Sequence, residues 1–266
     1  MRKLTEYQVS DIANSLITYL PTILHFFFGG AFTAGFTGII SIIKKFINFI
    51  SGPTAKVFLP ELSRLYKNGE KEKLEQTYLM IARIQMVFIG TIGIILIGFP
   101  RLVLHLFSPE LEQYSGVFTL TAVSLSIIAG IGPVTGTLQM TGNEKICNRN
   151  QWVSIGLMAV VWLLLRRQPL FAVYGLCVQA VSEGVMKYYS VCRWFGKNLV
   201  PVRNYILLWL PVAVLRIAVD ALGWQYSFPA LIVSLLLVFT WNVYSALCDP
   251  MIKAAVAEKL RMLRRR

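Results

Sequence analysis

The sequence predicts an all-α protein, a polytopic membrane helix bundle of about eight transmembrane helices. Three observations predict it. The apolar residues fall in long unbroken runs rather than in the alternation of strands, and lipid admits only helices or closed barrels. Hydrophobic residues make up 56% of the 266 positions and charged residues only 15%, against roughly 25% in soluble domains. The basic residues, 26 against 13 acidic for a net charge of +13, sit in short clusters between the apolar runs. Mean hydropathy is +0.61. Disorder is excluded by the same composition.

A helix needs about 20 apolar residues to cross roughly 30 Å of hydrocarbon. The runs that meet this requirement cover 9–29, 32–59, 77–99, 114–138, 151–166, 169–190, 204–221 and 227–248. Only Gly29-Gly30 separates the first two, which predicts a tight hairpin. Pro60 to Gln76 carries mixed charges. It reads as a solvated amphipathic helix, a turn at Asn68-Gly69 and a second helix leading into the third run. The fourth run contains Gly130-Ile131-Gly132-Pro133, followed by Thr135-Gly136-Thr137, and is expected to break or kink there. Such a break either exposes backbone to a cavity, as in transporters, or serves packing alone. The fifth run is short, hence less tilted or partly interfacial. The chain divides into a six-helix lobe (1–200), two further helices (201–248) and a basic tail (249–266).

Orientation follows from the basic residues. With the N-terminus in the cytoplasm, only Arg101, Arg166 and Arg167 fall in outer loops, and Lys44, Lys45, Lys56, Arg83 and Arg216 lie within runs. Every other Lys and Arg is on the inner side, including Arg264-Arg265-Arg266, so both termini are expected to be cytoplasmic. The charge thus reads as topology and attraction to anionic membrane lipids, with no nucleic-acid partner. Glu6 and Asp11 interrupt the N-terminal run and no A-x-A site follows, so no cleavable signal is expected. Cys147, Cys177, Cys192 and Cys248 show no CxxC spacing, so neither a metal site nor a disulfide framework is expected, and no cofactor.

Polar residues inside the apolar runs are costly and therefore mark candidate sites. Asp11, Asn14, Thr18, Thr22 and His25 follow one another at steps of three and four, which keeps them on one helix face, with Ser15 flanking and Pro21 mid-run. Packed against a neighbouring helix, the stripe would be structural. The cost of turning polar groups to lipid favours a water-filled cavity instead. Thr37, Ser41, Lys44, Asn48 and Ser51 form a second such face. Lys44 stands about 18 Å along the helix from residue 32, near mid-membrane, where snorkelling to a headgroup is awkward. Lys45 points about 100° away. Arg83 is close enough to the inner end of its run to snorkel. Glu183 with Lys187, and Arg216 with Asp220, are spaced for local ion pairs. His105 lies in an outer loop region and carries little information.

Enzyme classes fit poorly. No GxSxG, HExxH, P-loop or dinucleotide fingerprint occurs, histidines number two, and the outer loops are too short for a catalytic domain. A transporter that does not hydrolyse ATP is the class left.

The unit ending in Gly38-Ile39-Ile40-Ser41-Ile42-Ile43-Lys44-Lys45 resembles bacterial polysaccharide transporters. So do the inner segment Phe58-Leu59-Pro60-Glu61-Leu62-Ser63-Arg64-Leu65-Tyr66-Lys67-Asn68-Gly69-Glu70-Lys71-Glu72-Lys73-Leu74 and the stretch from Tyr174-Gly175-Leu176 to Glu183. These are the lipid-linked oligosaccharide flippases of the multidrug/oligosaccharidyl-lipid/polysaccharide (MOP) superfamily. Members have two six-helix lobes around a central cavity, some with two extra helices. The resemblance is to the C-terminal lobe plus those two helices. It implies either a truncated or split transporter that works with an N-terminal lobe or a second copy, or a non-transporting fragment or scaffold.

What the resemblance implies is passage of an undecaprenyl-pyrophosphate-linked oligosaccharide across the bacterial cytoplasmic (inner) membrane. The residues supply a compatible mechanism. Lys44, with Lys45, would attract the pyrophosphate in a low-dielectric cavity, and Thr37, Ser41 and Asn48 would bind substrate beside them. The polar stripe of Asp11, Asn14, Thr18, Thr22 and His25 would hydrogen-bond sugar, with Asp11 and His25 available for ion coupling. A drug or cation antiporter of the same superfamily (MATE-like) is the competing expectation. It calls for intramembrane carboxylates, of which only Asp11 and Glu183 are near a run.

Overall fold

The computed structural model describes residues 2–199 and 202–247; for 2–7, 50–51, 53–56, 202–208 and 245–247 it describes the backbone alone. Cys248 and the expected basic tail at 249–266 lie outside the described residues. The described chain is all-helical, 87% helix, with no strand among the described residues. Its order is α1 (Arg2–Phe28), α2 (Gly30–Lys67), α3 (Lys71–Gly93), α4 (Pro100–His105), α5 (Ser115–Gly130), α6 (Val134–Met140), α7 (Glu144–Leu165), α8 (Phe171–Phe195), α9 (Val202–Ala221) and α10 (Phe228–Leu247). A π-turn segment, Ile94–Gly98, extends α3, and a 3-10 segment, Pro109–Tyr114, precedes α5.

Among the described residues, three helical stretches are long and apolar enough to cross a membrane: Gly30–Phe49, Lys71–Gly98 and Pro109–Met140. Phe228–Tyr244 is apolar but shorter. The long helices occupy the eight runs read from the sequence, with different ends. The fifth run read as short because its helix begins seven residues earlier, in polar sequence. Asn150, Gln151 and Ser154 of α7 are buried, and Asn150 Nδ2 donates to Ser190 Oγ of α8 at 3.0 Å. A helix that satisfies its polar groups against neighbours stays in the bundle despite low apolarity.

The α1–α2 hairpin forms at Gly29-Gly30 as expected. Gly30 sits at φ +85°, a left-handed conformation that a side chain disfavours. The turn at Asn68-Gly69 also forms, but no separate amphipathic helix precedes it. α2 continues through Pro60 to Lys67, because Leu62 and Leu65 keep an apolar face against the core while Glu61 and Arg64 pair at 2.6 Å on the exposed face. Two short helical pieces, α4 and the 3-10 segment, were not expected. His105 Nδ1 there lies 2.6 Å from Glu112 Oε1, and Glu112 also accepts from the Tyr226 hydroxyl of the α9–α10 loop. Arg216 and Asp220 pair at 3.0 Å, and Arg216 donates to the Gly98 carbonyl at 3.3 Å where the π-turn ends.

The fourth run breaks where its sequence predicts. α5 stops at Gly130, Gly132 takes φ +103°, and α6 resumes at Val134. A Cβ at Gly132 would stand 2.8 Å from Cβ of Ala82, so the crossing of α3 needs glycine both for conformation and for room. The break frees backbone carbonyls, and the buried Tyr78 of α3 donates its hydroxyl to Ile131 O at 2.9 Å.

The core has two apolar clusters. One gathers Phe36, Ile40, Phe99, Phe118, Met158 and Ala172; the other gathers Leu62, Leu74, Tyr78, Leu138, Val191 and Phe195. Along α8 the two clusters are separated by Gln179, Glu183 and Lys187, considered next.

The Tyr78 hydroxyl generates a prediction. Tyr78→Phe leaves the Ile131 carbonyl buried without its donor and should cost about 1–3 kcal/mol. A thermal melt of the detergent-solubilised protein should show a lowered midpoint; an unchanged midpoint would show that the break does not depend on this bond.

Candidate functional site

Two adjoining hollows lie between α2, α5 and α8. The larger, of about 300 Å³, is lined by polar groups from four helices: Lys44 and Asn48 (α2), Gln85 (α3), Thr135 (α6), and Gln179, Glu183 and Lys187 (α8), with the apolar Leu125 and Ile128 of α5 beside them. The smaller, of about 110 Å³, is lined by Thr18 of α1, Ser41, Lys44, Lys45 and Asn48 of α2, Thr121 of α5 and Gln179 of α8. Lys44, Asn48 and Gln179 belong to both, so the Lys44 side chain stands where the hollows meet.

The electrostatics of the larger hollow are unbalanced. Lys187 is 4% exposed; its Nζ lies 2.5 Å from Glu183 Oε1 and donates to Thr135 Oγ1 at 3.1 Å. The other Glu183 oxygen accepts from Gln179 Nε2, whose amide also reaches Ser154 Oγ at 3.4 Å. One carboxylate therefore neutralises one ammonium. Lys44, half-buried, has neither a hydrogen bond nor an ion pair among the described residues. The hollow holds one net positive charge in surroundings of low dielectric, which favours an anionic occupant.

The residues singled out from the sequence separate into three groups. Lys44, Lys45, Ser41, Asn48 and Thr18 come together on the hollows. Asp11, Asn14 and Thr22 do not line them. Asp11 is exposed, Thr22 is half-buried, and Asn14 Oδ1 accepts from Gln151 Nε2 of α7 at 2.8 Å, with Ser10 Oγ 3.3 Å from the same amide.

His25 and Thr37 form the third group, a buried clamp away from the hollows, both 0% exposed. His25 Nε2 accepts the backbone N–H of Ala172 at 3.1 Å, in the first turn of α8. It must therefore be unprotonated there, so Nδ1 carries the hydrogen and donates to Thr37 Oγ1. Thr37 passes its own hydrogen to Thr33 O at 2.9 Å. Phe171 packs edge-on against the ring at 5.0 Å. Both ring nitrogens are occupied, and the side chain caps a helix start whose donors would otherwise be orphaned. Its geometry is that of a neutral anchor.

Sequence reasoning missed Gln85 and Gln179 and treated Glu183 and Lys187 as a peripheral pair. The signal was present in α8: Gln179, Glu183 and Lys187 recur every four residues on one face of an apolar helix. The four-residue spacing by itself fits a surface pair equally well, and only the packing of α6 over that face buries it. Among the described residues no cluster of His, Cys, Asp or Glu could hold a metal. No protein-family model, curated protein or solved structure matches the chain.

Two predictions follow from these geometries. Lys44→Met removes an uncompensated charge and should stabilise the unliganded protein by about 1–3 kcal/mol, seen as a raised melting midpoint; a lowered midpoint would mean that the ammonium has a partner. His25→Leu strands the Ala172 N–H and the Thr37 hydroxyl, and should lower the midpoint by the equivalent of about 2–4 kcal/mol.

Proposed function

We propose that the chain is a transport lobe that moves an anionic, lipid-linked substrate, an undecaprenyl-pyrophosphate-linked oligosaccharide, across the bacterial cytoplasmic membrane. In this reading both termini are cytoplasmic, and the lobe works with a second lobe or a second copy of itself and not as an enzyme. The observation that carries the reading is the unpaired Lys44 ammonium at the junction of two polar hollows in an otherwise apolar bundle. An ammonium without a protein partner inside an apolar bundle is a candidate anion-binding group. The larger hollow's volume of about 300 Å³ suits a phosphate-bearing headgroup, and Asn48, Gln85, Gln179 and Thr135 provide amide and hydroxyl groups around it. Ser41, Thr18 and Lys45 extend the polar lining toward α1, where sugar hydroxyls would find partners. The broken α5–α6 segment, with Gly132, Pro133 and Gly136 on the lining, supplies backbone at the hollow, as discontinuous helices do in transporters.

A cation antiporter is less well supported. Glu183 is the one carboxylate on the lining, and Lys187 already neutralises it.

The test is genetic and biochemical. In cells whose polymer export depends on this chain and its partner lobe, Lys44→Ala with Lys45→Ala should leave the protein in the membrane at normal abundance. Lipid-linked precursor should then build up in the inner leaflet. Unchanged export would refute the role of the cationic centre.

A further inference from the structure

Three ionisable groups share the larger hollow, and only two of them balance. Glu183 uses both oxygens: Lys187 Nζ sits 2.5 Å from one, and Gln179 Nε2 donates to the other. It faces Lys44 across the same space. The groups around it from each packed element can be named. α2 contributes Lys44, α3 contributes Gln85, and α6 contributes Thr135. α5 contributes only the apolar Leu125, Ile128 and Ala129. α7 brings the buried Cys147 beside Lys187, and α1 places no titratable group on the lining. Glu183 is thus the only group of the described lining that carries negative charge.

We propose that Glu183 is the resident counter-anion of this hollow: its carboxylate holds Lys187 while the hollow is empty, and it takes up one proton when an external anion enters beside Lys44. The inference rests on the reading of the hollow as an anion site and deepens it. An incoming dianion and the carboxylate would carry three negative charges against two ammonium groups, confined within a volume of about 300 Å³ of low dielectric. A proton from solvent converts –COO⁻ to –COOH and ends the competition. The acid then serves as a neutral hydrogen-bonding group, and Lys187 as well as Lys44 is free to bind the anion. Proton and anion therefore bind together, not in exchange, and by linkage each raises the affinity for the other. In an empty hollow the same carboxylate keeps the buried Lys187 paired.

The experiment measures equilibrium binding of radiolabelled sulfate, whose charge is constant across the range, to the full chain in lipid nanodiscs from about pH 8.5 to about pH 5.5. Wild-type affinity should rise as pH falls, by at most about tenfold per pH unit for one coupled proton. Glu183→Gln should bind at high pH as tightly as the wild type does at low pH, with a flat profile. Lys44→Met should abolish binding. If Glu183→Gln fails to fold because Lys187 is left unpaired, Glu183→Gln with Lys187→Met removes both charges and should show Lys44-dependent binding without pH dependence. Identical pH profiles in wild type and either variant overturn the counter-anion role and leave the anion site standing. Absence of sulfate binding at every pH overturns both.

Discussion

A polar group carried into an apolar bundle must find its partner inside that bundle, and this constraint organises the whole molecule. Several polar side chains of the apolar helices obey it in a traceable way. His25 takes the orphan N–H of Ala172 and passes a hydrogen to Thr37, which passes one to Thr33. Tyr78 covers the carbonyl that the break after Gly130 releases. Asn14 and Ser10 share the amide of Gln151, and Asn150 bonds Ser190. Apart from the Thr37–Thr33 bond within α2, these bonds link different segments, so the same contacts that satisfy polar groups also hold α1 to α7, α1 to α8 and α7 to α8. Lys44, on the hollow lining, makes no such bond among the described residues.

The backbone irregularities serve the same place. Breaking the helix at Gly132 interrupts its regular hydrogen bonding over residues 131–133 and leaves only a short α6, but it places Thr135 beside Lys187 and Gly136 on the lining. Apolar residues of the first cluster, Ile43 and Ile47, flank Lys44 on α2, and the two clusters take up both ends of α8, so the polar groups are framed by packed elements. A site held this way can present a fixed arrangement of charge, which is what recognition of a headgroup requires.

Much of the candidate site was legible beforehand. A lysine in the middle of an apolar run has few places to go, and helical periodicity puts Ser41 and Asn48 beside it whatever the tertiary fold. The other half of the site was not legible. Gln179, Glu183 and Lys187 look like a solvated stripe until α6 and α7 close over them. The stripe on α1 is a single face by periodicity, yet its members part company along a long helix: Thr18 reaches a hollow, Asn14 meets α7, and His25 meets the start of α8. Periodicity reports which residues share a face; it carries no information about which neighbour covers each turn of that face.

The sequence by itself determined the class of structure. Long apolar runs, a hairpin at Gly29-Gly30, a turn at Asn68-Gly69 and a break at Gly130 to Pro133 are local properties, set by hydropathy and by the backbone preferences of glycine and proline. It also placed Lys44 on one helix face with Ser41 and Asn48. The tertiary structure decided which charges cancel. Whether Glu183 neutralises Lys187 or Lys44, and whether His25 is a titrating group or a helix cap, depends on atoms brought together from α1, α2, α6, α7 and α8. Electrostatic balance falls off with distance through space, and distance through space is what a linear pattern leaves undefined.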